Sequence, residues 1–153
     1  MRNSCLSGEA TGGNEDLIFL GMEIEPNRGE SPLIKLLENG MPRFFRRVSR
    51  VFDIENLKFR TYDLADFIQN CSLHYKFDLK RTVAAAFSNA ANIFSRILLL
   101  RPDIFQGAIL FRAMIPFSPN HLPNLSNKKI LLSPSVNDPI VSRTETESLF
   151  RLF

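Results

Sequence analysis

The chain has 153 residues, about one domain's worth, with 44% apolar and 23% charged residues and a formal net charge of +3. This composition excludes a chain disordered throughout, and the slight positive excess permits an anionic partner without requiring one. Two cysteines, Cys5 and Cys71, are too few for a disulfide framework, and no Cys/His grouping has zinc spacing, so the reading is of reduced cytoplasmic thiols and no metal.

Residues 1–13 contain no apolar stretch of the secretory kind. Gly12-Gly13-Asn14 reads as a tight loop, because glycine tolerates positive φ. Leu17, Leu20 and Ile24 recur at helical spacing behind Asp16, which predicts a short helix over 16–25. Residues 26–32 read as loop and 38–42 as a turn. Phe44-Phe45-Arg46-Arg47 fits neither helix nor strand clearly. Residues 54–75 form the clearest amphipathic helix, with Leu57, Leu64, Phe67, Ile68 and Cys71 on one face and Lys58, Asp63, Asp66 and Asn70 opposite.

The pattern then changes. Residues 82–87 form a short apolar run of strand length. A helix over 89–100 stops at Pro102. Further strands are expected over 107–112 and 129–133, and a helix begins at 144 and runs to the last residue. Ser88, Asn89, Asn92, Ser95 and Arg96 interrupt the apolar stretch 83–100 and argue against a membrane span. This alternation predicts an α/β fold with a parallel sheet, and right-handed crossovers place helices on both faces.

Ala86-Phe87-Ser88-Asn89-Ala90 falls at a junction of strand and helix, where a nucleophile elbow belongs. The usual pattern is Gly-x-Ser-x-Gly, and both glycines are alanine here. The second alanine is expected to add strain of about 1 kcal/mol or more. Taken without context, a serine at a helix start is more often an N-cap than a nucleophile.

Several blocks, in order, carry a resemblance. Glu38-Asn39-Gly40-Met41-Pro42-Arg43-Phe44-Phe45-Arg46-Arg47, Ser88-Asn89-Ala90-Ala91-Asn92-Ile93, Leu98-Leu99-Leu100-Arg101-Pro102, Gly107-Ala108-Ile109-Leu110-Phe111-Arg112, Asn137-Asp138-Pro139-Ile140-Val141 and Thr11-Gly12-Gly13-Asn14-Glu15 resemble segments of small bacterial carboxylesterases. These belong to the phospholipase/carboxylesterase group of α/β-hydrolases. The resemblance implies Ser88 as nucleophile and Asp138 as the acid that orients a histidine. It implies an oxyanion hole from the backbone N–H groups of Thr11 and Asn89. It further implies hydrolysis of small or medium acyl esters through an acyl-enzyme, with no cofactor. Residues 9–153 would form a partial hydrolase domain, preceded by a poorly defined segment, 1–8.

The chain departs from that pattern in several places. The triad order in this fold is Ser, acid, His, and no histidine follows Asp138. His74 precedes Ser88 and His121 lies between Ser88 and Asp138, and both read as surface or structural residues. The family's last strand and histidine loop would come after Phe153. Residues 1–8 read as too short and polar for its first strands, so outer strands are expected to be missing. Glu9-Ala10 stands where the family has His-Gly, and Leu33-Ile34 where it has Arg-Gly. Weak or absent activity is therefore expected of this polypeptide alone, and self-association would cover exposed sheet edges.

Two other readings compete with catalysis. One is a non-catalytic binding or interaction module on the same scaffold. The other is single-strand nucleic-acid binding through Arg43, Arg46, Arg47 and Arg50 beside Phe44 and Phe45, and an ordinary arginine-bearing surface accounts for that cluster better. A small-molecule ester is the expected partner. No phosphate loop or dinucleotide fingerprint occurs.

Overall fold

The computed structural model describes residues 4–8, 29–30, 46–48, 51–52, 54–114, 119–135 and 138–153. Five strands form one parallel sheet: β1 (Ser4–Gly8), β2 (Gly29–Glu30), β5 (Thr82–Phe87), β6 (Gly107–Phe111) and β7 (Lys129–Ser133), in the order β2-β1-β5-β6-β7. A separate antiparallel pair joins β3 (Arg46–Val48) to β4 (Val51–Phe52). The helices are α1 (Ile54–Tyr75), α2 (Asn89–Leu100) and α3 (Arg143–Phe150). This is the α/β arrangement of a hydrolase-like parallel sheet with helices.

The middle strand, β5, owes its position to small side chains. Ala84, Ala85 and Ala86 are all buried. Ala84 and Ala86 share a face, because side chains alternate along a strand. They join one apolar cluster with Leu64, Ala65, Ile68 and Cys71 of α1, Ile93, Phe94, Ile97 and Leu98 of α2, and Leu149 of α3. Every residue of α2 from Ala91 to Leu99 is buried, as expected of a helix that is apolar nearly all round. Arg101 ends that helix and ties it to α1: its guanidinium donates to Asp66 Oδ1 at 2.8 Å and to Gln69 Oε1 at 2.9 Å. Burial of Arg96 pushes its guanidinium down to about 10.

Three readings of the sequence are corrected here. The stretch 26–32, read as loop, carries the short strand β2, whose Gly29 and Glu30 pair with Ser4 and Cys5 of β1 through the backbone. Residues 1–8 do contain a strand: β1 pairs with β5 over five residues, from Ser4 opposite Thr82 to Gly8 opposite Ala86. Its backbone lies between two neighbours, so ladder hydrogen bonds decide the conformation and side-chain polarity does not. The last helix does not run to the end of the chain. It starts at a capping box, in which Ser142 and Glu145 satisfy each other's backbone N–H, and stops at Phe150. The expected helix over 16–25 and the loops around Gly12 and Gly40 lie outside the described residues. Among the described residues no helix is long and apolar enough to cross a membrane.

Gly107 opens β6 directly opposite Lys129 of β7. A Cβ at this position would land on the Lys129 carbonyl oxygen, a backbone atom that cannot rotate away. Gly107→Ala is therefore expected to destabilise the chain by about 1–3 kcal/mol, as other overpacking changes do. A urea midpoint equal to that of the parent would contradict this close approach.

Candidate active site

Parallel register brings three strand ends level. Phe87 of β5 sits opposite Phe111 of β6, which sits opposite Ser133 of β7. The residues that follow leave the sheet together at its carboxyl edge, where open α/β sheets bind ligands.

Ser88 follows β5 and precedes the first residue of α2. Its backbone has φ 56° and ψ −120°, a region that a residue with a Cβ enters only under strain of about 1–3 kcal/mol. The strain is held by the flanking elements: the Ser88 N–H donates to the Phe111 carbonyl at 2.9 Å, and the Ser88 carbonyl accepts from Asn92 N–H at 3.1 Å. The Ser88 side chain makes no capping hydrogen bond, which removes the simple N-cap reading. Ala90 lies inside the helix and is not among the residues with positive φ, so the conformational strain sits at Ser88 and the alanine after it adds none of that kind. Asn89 is the first residue of α2, at the positive end of the helix dipole.

The loop after β6 is fastened to α2 by Asn92. This buried side chain accepts from the Met114 N–H through Oδ1 at 2.9 Å. Between Phe111 and Met114 the backbone turns at Arg112, with φ 53°. The Arg112 guanidinium lies 5.4 Å from the centre of the Phe87 ring and pairs with Asp138. Nε donates to Asp138 Oδ2 and Nη2 donates to Oδ1, the latter at 2.9 Å. The backbone N–H groups of Ile140 and Val141 also donate to Oδ1, at 2.8 and 3.1 Å.

The Asp138 side chain is fully shielded from solvent, while that of Arg112 is 30% exposed. The Arg112 hydrogen bonds hold the Asp138 carboxyl well below the usual carboxylate range, and the N–H groups of Ile140 and Val141 act in the same direction. Burial opposes them and loses. The same pairing pushes the Arg112 guanidinium up.

Of the residues expected at the site, Ser88 and Asn89 lie together at the elbow. Asp138 lies in the loop beyond β7, linked through Arg112 to Phe87, the neighbour of Ser88. Thr11 and Glu9-Ala10 fall outside the described residues. His74 is exposed at the end of α1, edge-on to Tyr75, and His121 is exposed. Neither is among the hydrogen-bond partners of Asp138. In the sequence Arg112 reads only as the last residue of a strand. Its signal was an arginine directly after an apolar strand, with an Asp-Pro loop following the next strand. Among the described residues no three His, Cys, Asp or Glu side chains gather as a metal site.

A depressed folded-state value means that Asp138 contributes stability above the unfolded carboxylate range, and loses it as pH falls through the folded value. Asp138→Asn is thus expected to cost about 2–3 kcal/mol at pH 7, the scale of hydrogen bonds to a charged group. The difference from the parent should persist at pH 5 and shrink below about pH 4, the unfolded aspartate value. A difference independent of pH, measured by urea unfolding across this range, would contradict an ionised, paired Asp138.

No family model matches the chain. MhqD of Bacillus subtilis (strain 168), assigned as a hydrolase, is 38% identical over 157 residues, covering 97% of this chain and 76% of MhqD. The Bacillus cereus carboxylesterase structure superposes with a TM-score of 0.83 at 36% identity, covering 97% of this chain and 71% of that one. Protein Atu2452 of Agrobacterium tumefaciens str. C58 gives 0.75 at 31% identity, covering 95% and 71%. The Mesorhizobium loti carboxylesterase shares the fold, with a TM-score of 0.78 at 23% identity, covering 97% and 71%. An elbow serine on a parallel sheet, together with this degree of identity over most of MhqD and of a carboxylesterase, leads to one conclusion: the chain belongs to the phospholipase/carboxylesterase family of α/β-hydrolases.

Proposed function

We propose that the chain is a serine hydrolase of carboxylesterase type, acting on carboxylic esters through an acyl-enzyme. The backbone of Ser88 carries this reading: a strained strand-to-helix turn whose side chain is not engaged in capping. Ser88 Oγ attacks the ester carbonyl carbon while a base takes its proton, and the carbonyl electron pair moves onto oxygen. The backbone N–H groups of Asn89 and Thr11 hold that oxyanion, each such donor being worth about 10²–10³ in rate. Collapse expels the alcohol, which takes the proton from the base and leaves the acyl group on Oγ. Water then repeats the attack, releasing the carboxylic acid and restoring the serine.

Asp138 orients the base and stabilises its cationic form. In this residue order the base is a histidine beyond the acid, and the 153 residues hold none after Asp138. By themselves they are an impaired catalyst in this proposal. Losing the histidine of a comparable triad costs about 10⁶ in turnover. A cytoplasmic setting is part of the same proposal, supported by two cysteines that form no framework. So is self-association, supported by Leu131 of β7, 57% exposed.

A second reading is a module that binds an ester-like ligand without turning it over. The exposure of both histidines favours it. Labelling with a fluorophosphonate probe separates the two. The hydrolase reading expects slow labelling that disappears in Ser88→Ala, with p-nitrophenyl ester turnover about 10⁶ below that of a complete triad. Equal labelling of both chains would remove Ser88 as nucleophile. A folded chain that binds an ester yet takes no label would favour the binding module.

A further inference from the structure

We propose that Arg112 is a positioning residue for the triad acid, fixing the plane of the Asp138 carboxylate and leaving Oδ2, which has fewer donors than Oδ1 among the described residues, to accept from the N–H of the catalytic imidazole once that ring displaces what shields the side chain. This rests on the reading of Asp138 as that acid. A carboxylate offers about four lone-pair sites, two on each oxygen. Oδ1 already takes three donors: Arg112 Nη2 and the N–H groups of Ile140 and Val141. Among the described residues Oδ2 takes one, Arg112 Nε. The remaining capacity is therefore on Oδ2.

A guanidinium suits this task where an ammonium does not. Its two parallel N–H groups match both carboxylate oxygens and set the plane of the carboxyl group, whereas lysine presents a point charge. The guanidinium is itself oriented by the Phe87 ring, one residue before Ser88, and by the Arg112 backbone, whose N–H donates to the Ser133 carbonyl at 3.0 Å. The positive charge also keeps the acid ionised, so that both its oxygens act as acceptors only. Arg112 thus couples the orientation of the acid to the strand end that carries the nucleophile.

The test uses the 153-residue chain with added imidazole as the base. Imidazole takes the Ser88 Oγ proton, the Oγ–P bond to a fluorophosphonate forms, the P–F bond breaks and fluoride leaves. The rate constant is read against pH for the parent, Arg112→Lys and Arg112→Met, with circular dichroism to establish folding. Carbon-13 NMR follows the Asp138 carboxyl in the same three chains. The expected result is imidazole-dependent labelling that falls about tenfold in Arg112→Lys and about 100-fold in Arg112→Met, the scale of a misplaced catalytic group. The Asp138 carboxyl should titrate higher in Arg112→Met than in the parent.

Labelling unchanged in a folded Arg112→Lys chain would overturn the positioning role, and so would a parent Asp138 that titrates like a free aspartate. If Arg112→Met does not fold, Arg112→Lys decides alone. No imidazole-dependent labelling in the parent overturns the hydrolase reading and the proposal with it. That outcome differs from labelling that ignores Arg112, which leaves the hydrolase reading intact.

Discussion

Everything at the site depends on the register of three parallel strands. Because Phe87, Phe111 and Ser133 are level, the chain leaves the sheet at neighbouring points on one edge. The elbow at Ser88 and the turn at Arg112 then lie side by side, joined by the Ser88 N–H to Phe111 carbonyl hydrogen bond, and Asp138 is tied to Arg112. A shift of one residue in either ladder would turn each strand's side chains to the opposite face and carry these corners apart. The small residues of β5 and the missing side chain of Gly107 protect that register from within, since bulk at either place would push the neighbouring elements away.

Much of this was legible in the residues. The bounds of α1, β5, α2 and β7 follow from apolar periodicity, run length and a proline stop, because burial on one side leaves a repeating mark in sequence. The elbow could be placed because a serine between small residues falls where a strand run meets a helix run. β1 was not legible, since a strand held by backbone pairing on both sides needs no apolar signature. The pairing of Arg112 with Asp138 was not legible either. It joins residues 26 apart through a parallel crossover, and nothing local to Arg112 distinguishes it from a surface arginine. The end of α3 was missed because its last residues look helical in composition, whereas Leu152 and Phe153 pack back on the core.

The electrostatic design of the site is conservative. A fully shielded carboxylate is costly unless its charge is met, and here one guanidinium and two backbone N–H groups meet it. Arg112, after β6, and Asp138, beyond β7, together form a pair with no net charge.

The single hydrogen bond from Ser88 N–H to the Phe111 carbonyl has a wider meaning. It joins two corners that both carry non-glycine residues at positive φ, Ser88 and Arg112. Each corner is unfavourable on its own and is stabilised by being braced against the other. They behave as one small cooperative unit of the native state: a fluctuation that opens either corner removes the strut of the other. The conformation of Ser88 and the placement of Arg112, with the Asp138 it pairs with, are thus maintained, or lost, in the same local opening event.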